Sequence, residues 1–241
     1  MKKQLLSGLI LIGALATAPA ALYIQTDGVV SGSGFTGGTP SGVGTFNQTI
    51  VDGNPAGMWN SISVGGLDNS LSSIRVTLNV SGIDNSGLYA YLSYNGTLVT
   101  LLNRIGVSSG NPFGNSSSGF NNITLDSTST DIHTASGTLA GTYGADGRQI
   151  SPLSSAASFD AAGTATLNGS YGGMNPNGTW TLFFADVVGG GGNATLNGWS
   201  LDITAVPEPV NVAMGLFGAV FVVISGIRSY RQSASRASSV D

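Results

Sequence analysis

The chain has 241 residues, no cysteine and a formal net charge of −4, and only 8% of its residues are charged. Between Ala21 and Pro209, three arginines stand against eleven acidic residues, which gives this part a net charge of −8. This part of the chain has no cluster of basic residues. Nucleic acid and anionic membranes are therefore not expected as partners, because both are bound through clusters of cations. The lack of cysteine excludes structural zinc held by thiolates.

The N-terminus has the pattern of a secretory signal peptide over residues 1–20. Two lysines precede an apolar run, and Ala18 and Ala20 supply the small residues at positions −3 and −1 of a cleavage site. The apolar run is short for a membrane span of roughly 20 residues. We therefore expect export through the Sec translocon and cleavage by signal peptidase, the alternative being an uncleaved anchor.

The part between the two ends has the pattern of an all-β domain. Residues 21–43 are rich in Gly, Ser and Thr with few large apolar side chains, which predicts a flexible lead-in. Over residues 44–205, short apolar segments recur between Gly, Asn and Ser turns, as is typical of a β-sandwich or barrel. A sustained apolar period of about 3.6 residues is missing there, so helices are not expected as the frame.

The clearest strand signal covers residues 73–81, where apolar and polar residues alternate so that one face is buried. A hairpin is predicted next. Residues 88–94 and 97–102 are β-prone and flank Asn95-Gly96, and both positions of a type I′ turn need positive φ.

A second hairpin is predicted near the end of this part. Its strands cover residues 180–184 and 196–203, and the Gly-rich loop 189–192 joins them. Trp180 and Trp199 are then expected in the core rather than at a ligand site.

These last segments also resemble a known family. The sequences GTWTLFFAD (178–186) and LNGWSLDI (196–203) are similar to the closing strands of the proprotein-convertase P domain, and shorter matches from residue 49 to residue 102 occur in the same order. The resemblance covers about residues 44–204. It implies a jelly-roll-like antiparallel β-sandwich, in agreement with the alternation.

The resemblance also raises Ca²⁺ as a cofactor. Asp126 and Asp186 fall where the family has acidic residues, but its Gly-Asp-Leu step is Ser86-Gly87-Leu88 here. Calcium takes about six to eight oxygen ligands. The hypothesis is that the two aspartates help hold one Ca²⁺; the alternative is that they stabilise turns through their own side chains.

Tyr89 and Tyr91 alternate with Leu88, Ala90 and Leu92, so the two tyrosines share one face of a strand. An aromatic row on a sheet suits stacking on sugar rings, which have apolar faces and polar rims. We expect a glycan contact at this pair. The alternative is ordinary packing between neighbouring strands.

Two short sequence motifs of enzymes occur in this chain, but without the neighbouring secondary structure that each motif needs. Residues 32–37 match G-x-G-x-x-G without a flanking strand and helix. Residues 106–110 match G-x-S-x-G, but Asn111-Pro112 follows instead of a helix. His133 is the only histidine and is expected at the surface. We therefore expect a protein that is not an enzyme.

The C-terminus carries a three-part pattern over residues 206–241. It consists of Val206-Pro207-Glu208-Pro209, a charge-free apolar run at 210–227, and a basic tail at 228–241 that contains Arg228, Arg231 and Arg236. The run is just long enough to cross a bilayer, whereas a soluble helix would need a polar face. Arginines behind the run place the tail in the cytoplasm.

This pattern resembles the PEP-CTERM sorting signal, which exosortase recognises in Gram-negative bacteria that export polysaccharide. The resemblance implies transient anchoring in the inner membrane and then exosortase cleavage, which delivers the body to the cell surface or extracellular matrix. We expect a structural or adhesive protein associated with exopolysaccharide or biofilm. A carbohydrate-binding module is the alternative, and a hydrolase accessory domain the third.

Overall fold

The computed structural model describes residues 21–26, 29–30, 47–207, 214 and 217–228. The predicted signal peptide, most of the lead-in and most of the basic tail fall outside these ranges. So do several residues singled out above, namely Ala18, Ala20, Glu208, Pro209, Arg231 and Arg236.

Strands dominate the described residues. Their bounds are Ala21–Thr26 (β1), Val29–Val30 (β2), Gln48–Ile50 (β3), Asn54–Val64 (β4), Ser70–Asp84 (β5), Leu88–Tyr94 (β6), Thr97–Asn103 (β7), Ser118–Asp131 (β8), Thr142–Gly144 (β9), Gly178–Asp186 (β10) and Ala194–Val206 (β11). Short helical turns cover Asn85–Gly87, Ile132–Thr134 and Ala156–Phe159, and a short α-helix covers Leu167–Tyr171 (α1).

The strands form two sheets. The first has the order β2-β1-β11-β5-β8-β9, with β3 also on β11, and the second has the order β4-β10-β6-β7. Neighbouring strands are antiparallel except for the parallel pair β8–β9. The prediction of an all-β domain with antiparallel sheets is confirmed.

One apolar core lies between the inward faces of the two sheets. The predicted strand 73–81 lies inside β5, and its alternating apolar residues are buried, as are those of β10. Trp180 is fully buried, with its ring stacked on Tyr94 at a centroid distance of 3.9 Å, and its Nε1 donates to the Pro176 carbonyl at 2.9 Å. Trp199 is 3% exposed, so both tryptophans are core residues as predicted.

The first predicted hairpin is confirmed. Strands β6 and β7 pair in register around a turn in which Asn95 has φ +48° and Gly96 φ +77°. Positive φ at both positions is what the Asn-Gly pair permits at low cost.

The second predicted hairpin is wrong. Both strands exist, but β10 pairs with β4 and β6 in the second sheet, whereas β11 pairs with β5 in the first. The loop between them therefore crosses from one sheet to the other, and the Asp52 carboxylate accepts a hydrogen bond from the Gly190 amide at 2.9 Å on the way. Alternation specifies which face of a strand is buried; it does not specify the sheet.

The N-terminal end differs from the predicted lead-in. Residues 21–26 form β1, which pairs with β11 from Ala21↔Ala205 to Thr26↔Ser200. The run Leu-Tyr-Ile is β-prone, and the edge of β11 offers unpaired backbone groups to it. Residues 31–43 of the lead-in lie outside the described residues.

Near the C-terminus, residues 217–228 are helical, and each of these residues is exposed. Within the described part of the chain, no helix reaches the length and apolarity needed for a membrane span. The predicted span at 210–227 lies partly outside that part and stays a prediction.

Candidate functional site

An aromatic row crosses the outer face of the second sheet. Trp59 on β4 is the register partner of Phe183 on β10, and Phe183 is in turn the partner of Tyr91 on β6. Partners in an antiparallel register project from the same face. The sheet pairing therefore brings three rings side by side, and Tyr89, two residues before Tyr91, adds a fourth.

The rings contact one another closely. Phe183 stacks on Tyr91 with centroids 4.7 Å apart and lies 4.9 Å from Trp59. Tyr89 lies 6.0 Å from both Tyr91 and Phe183 in edge-on geometry. Phe183 is only 5% exposed, whereas Trp59 is 61% exposed. Phe183 is thus the floor of the row, and Trp59 is its most accessible ring.

Gly57 makes room for that floor. It has φ +58°, and a Cβ added there would lie 2.6 Å from Cζ of Phe183 and 2.5 Å from the Phe184 carbonyl oxygen. Only glycine meets both requirements, the left-handed backbone and the close ring. The row therefore depends on a backbone feature of β4.

Hydroxyl groups line the row on the next rung of the sheet. Thr181 is the register partner of both Ser61 and Ser93, and the Ser61 and Thr181 hydroxyl oxygens are 3.0 Å apart. An aromatic rung beside a hydroxyl rung offers a flat apolar surface with adjacent hydrogen-bonding groups. This combination matches a sugar ring, which has an apolar face and hydroxyls at its rim.

The two tyrosines keep neutral phenols. Burial raises the pKa of Tyr89, and the neighbouring Tyr91 adds to the rise although a hydrogen bond with Thr100 opposes it. Burial also raises the pKa of Tyr91. Both hydroxyls therefore donate as well as accept hydrogen bonds at neutral pH.

The sequence indicated half of this site. Tyr89 and Tyr91 lie together on one face as predicted, and they also pack against a neighbouring strand through Phe183. Trp59 was missed. Alternation in β4 could have revealed it. The even-numbered Met58, Ile62 and Val64 are buried, so the odd-numbered Trp59 lies on the opposite face of the strand, which is exposed.

A buried ionic cluster forms a second polar feature. His133 Nδ1 lies 2.7 Å from Asp146 Oδ2, and Arg148 reaches Asp131 at 2.7 Å and Asp146 at 3.3 Å. His133 is 5% exposed and Asp146 1% exposed. Burial lowers the pKa of Arg148, but the hydrogen bond and charges of the two carboxylates outweigh it and raise that pKa overall.

His133 is buried and both of its ring nitrogens have partners within the fold, so the expectation of a surface histidine is wrong. Its Nε2 lies 2.8 Å from the Val107 carbonyl oxygen, and its ring stacks on Phe159 with centroids 5.5 Å apart. Both ring nitrogens face oxygen acceptors, the Asp146 carboxylate at Nδ1 and the Val107 carbonyl at Nε2. The partners of this histidine come from three separate segments of the chain, so no spacing in the sequence predicts its burial.

A cleft of about 440 Å³ opens beside the cluster and includes Ser108, His133, Arg148 and Asp160 in its lining. Ser108 lies in the G-x-S-x-G match, but it closes a turn with Asn111, whose amide donates to the Ser108 hydroxyl at 3.1 Å. A nucleophile elbow leads into a helix and needs a histidine nitrogen ready to take the serine proton. Here Ser108 lies in a turn rather than before a helix, and the Val107 carbonyl occupies Nε2 of His133.

Asp126 holds a turn. Its Oδ1 accepts hydrogen bonds from the amides of Thr128 at 3.0 Å and Ser129 at 2.8 Å, and its Oδ2 accepts from the Ser129 hydroxyl at 2.8 Å. Burial alone would raise the pKa of Asp126, but these hydrogen bonds and the charge of Arg75 lower it overall. This is the turn arrangement that the sequence left open as the alternative.

Asp186 is fully buried at the end of β10. Its Oδ1 accepts from the Val188 amide at 3.0 Å, while Oδ2 has no hydrogen-bond partner among the described residues. Burial raises its pKa, and the nearby Asp52 adds to the rise, although amide hydrogen bonds from Val188 and Gly53 oppose it.

The two aspartates have different surroundings. Asp126 belongs to the first sheet and Asp186 to the second, they have no hydrogen-bond partner in common, and both oxygens of Asp126 serve its own turn. Within the described ranges, no group of three or more acidic or histidine side chains is arranged to hold a metal ion. Of the two aspartates, Asp186 keeps one oxygen without a hydrogen-bond partner among the described residues, and the shared calcium ion stays a prediction.

The sorting pattern is only partly described. Val206 ends β11 as the partner of Ser70, and Pro207 follows the strand. Arg228 is the last described residue of the helical segment 217–228.

Comparison with known proteins adds a distant structural likeness. No protein-family model and no curated protein matches the sequence. Among solved structures, a serine protease of Aeromonas sobria in complex with its chaperone is similar, with a TM-score of 0.41 and 13% identity. The match covers 80% of this chain and 28% of that one, so the chain spans less than a third of its neighbour's length.

Proposed function

We propose that this protein is an exported structural or adhesive component of a bacterial surface or matrix, and that its sandwich contacts polysaccharide through the aromatic row. The exposed ring of Trp59 beside Phe183, Tyr91 and Tyr89 is the observation that carries the proposal. An accessible tryptophan supported by packed rings gives a rigid stacking surface at low entropic cost.

The surroundings of the row favour a neutral, extended polymer. The row lies on an open sheet face, and its neighbouring rung carries hydroxyls rather than charges. A body with a net charge of −8 repels acidic polymers at long range. A carbohydrate-binding module with a defined ligand is the closest alternative and would use the same row.

The chain ends support export. All described residues of the helix at 217–228 are exposed, including Phe217, Phe221 and Ile224, which opposes the alternative of a buried core helix. We propose that residues 210–227 span the inner membrane, that the tail faces the cytoplasm, and that exosortase cleaves near Pro207.

For the body we propose a jelly-roll-like sandwich similar to the P domain, because the matching segments occur in the same order as the strands.

An enzyme is the weakest alternative. Ser108, His133 and Asp160 line one cleft, but Nε2 of His133 donates to the Val107 carbonyl and is not directed at a nucleophile. General base catalysis needs that nitrogen within reach of the proton it removes. We therefore propose no hydrolytic step.

Binding is tested with Trp59→Ala against Phe113→Ala, which removes another exposed aromatic ring, from the loop between β7 and β8. A glycan array of neutral oligosaccharides first selects a ligand. Affinity electrophoresis should then show that Trp59→Ala weakens binding about tenfold, which corresponds to about 1.4 kcal/mol. Phe113→Ala should bind like the wild type. Full binding by both Trp59→Ala and the double variant Tyr89→Ala/Tyr91→Ala would overturn the proposal.

Sorting is tested separately by replacing Pro207, Glu208 and Pro209 with alanine in the producing cell. The variant should accumulate in the inner membrane at full length, while the wild type reaches the surface in a shorter form. Surface delivery and shortening of the variant at the wild-type rate would contradict the sorting proposal without affecting the binding proposal.

A further inference from the structure

The outer edge of β11 is covered by two separate pieces of chain that run in the same direction. β1 pairs with positions 200–205, and β3 pairs with positions 194–196 on the same side of β11. Between Ser200 and Leu196 the edge advances only about 13 Å at roughly 3.3 Å per residue. β1 and β3 therefore occupy the places of one continuous edge strand.

The connection between the two pieces is far longer than this gap requires. β2 at 29–30 folds back on β1, and residues 31–47 then lead to β3. A connection of that length reaches up to about 55 Å when extended. This length allows β1 to reach β11 of a second copy as well as its own.

The contact itself is suited to exchange. The pairing of β1 with β11 uses backbone hydrogen bonds over six register pairs, from Ala21↔Ala205 to Thr26↔Ser200. Backbone pairing is identical within and between copies, and an uncovered edge at 200–205 is a template for any matching strand. Moreover, β1 lies at the end of the chain once the predicted signal peptide is removed, so its transfer needs no threading.

We propose that β1 is an exchangeable strand, and that the β11 edge of one copy binds residues 21–26 of a second copy. Each copy then donates one strand and accepts one. Reciprocal exchange gives a closed dimer, and head-to-tail exchange gives an open chain of sandwiches. Pairing within a copy prevails in dilute solution, and exchange rises with protein concentration.

The test uses two single-cysteine forms of the exported chain, purified in detergent after the host has removed the signal peptide. One form carries Leu22→Cys with a size tag, and the other carries Thr204→Cys; these positions are register partners, and the sequence has no cysteine of its own. Mixed and oxidised together, they should give a disulfide dimer of intermediate size whose yield rises with concentration. Leu22→Cys mixed with Thr195→Cys, which lies opposite β3 instead, is the matched control and should give none above background.

A double variant, Leu22→Cys/Thr204→Cys, verifies the register within one copy. Exchange would be overturned if this internal disulfide forms but no mixed dimer appears at any concentration up to the solubility limit. Absence of both the internal and the mixed disulfide would overturn the pairing itself. The pair Ile24→Cys and Asp202→Cys repeats both measurements in case the first substitutions impair folding.

Discussion

His133 and Asp146 show how a buried polar contact serves stability in this sandwich. The ring is held from both nitrogens, and Asp146 also accepts from the Asn103 amide at 3.2 Å and from Arg148. Asp146 thus has three partners, one each from His133, Asn103 and Arg148. Removing one partner of a buried charged group is strongly destabilising, because the group that remains has lost its compensation.

His133→Ala should therefore lower the free energy of unfolding by about 3 kcal/mol, because it removes a hydrogen-bond partner of the buried Asp146 carboxylate and the ring that stacks on Phe159. Urea unfolding followed by fluorescence measures the change. Asp84→Asn, on an exposed side chain, is the control and should stay within about 0.5 kcal/mol of the wild type. A change of that small size for His133→Ala would show that the cluster is not a stabilising element.

Asp126 and Asp186 should give opposite pH dependences. The pKa of Asp186 is raised in the folded state, so its contribution to stability is present at low pH and is lost as the pH rises through that raised pKa. The pKa of Asp126 is lowered, so its contribution is present at neutral pH and is lost as the pH falls through its lowered pKa.

As the pH is lowered from neutral towards 3, the wild type should thus gain stability relative to Asp186→Asn and lose stability relative to Asp126→Asn. Unfolding midpoints of the three proteins across this range provide the measurement. Parallel curves for the wild type and Asp186→Asn would mean that Asp186 does not titrate differently in the folded protein.

At the scale of elements, the sequence predicts strands better than sheets. Alternation predicted the strand at 73–81, and Asn95-Gly96 predicted the hairpin, because both signals are local. The crossing between β10 and β11 and the pairing of β1 depend on contacts across the fold. Trp59 joined the site for the same reason, since its neighbour Phe183 is set by the β4–β10 register.

Strand β4 offers a test of how an element builds the site. Gly57→Ala should cost about 1–3 kcal/mol, because alanine is strained at φ +58° and its methyl group meets the Phe183 ring. It should also weaken glycan binding by displacing the floor of the row. Gly65→Ala, where an added Cβ meets nothing within 4 Å, is the matched control and should change neither quantity. Equal stability and binding for the two variants would contradict this role of Gly57.

At the scale of the whole molecule, the proposed contacts lie in separate places. The aromatic row lies on the second sheet, whereas the proposed strand exchange uses the far edge of the first. Ala21 pairs with Ala205, so the predicted signal cleavage site and the sorting motif adjoin each other at one end of β11. Processing at both sites would leave the paired edge intact and the aromatic row accessible.

The proposed contact has polysaccharide covering Trp59, and the three tryptophans allow a direct measurement of it. Trp180 and Trp199 are buried while Trp59 is 61% exposed, so acrylamide quenching of the fluorescence reports mainly on Trp59. Adding the glycan selected on the array should lower the quenchable fraction in the wild type and leave Trp59→Phe unchanged. Quenching of the wild type that is the same with and without saturating glycan would contradict the account.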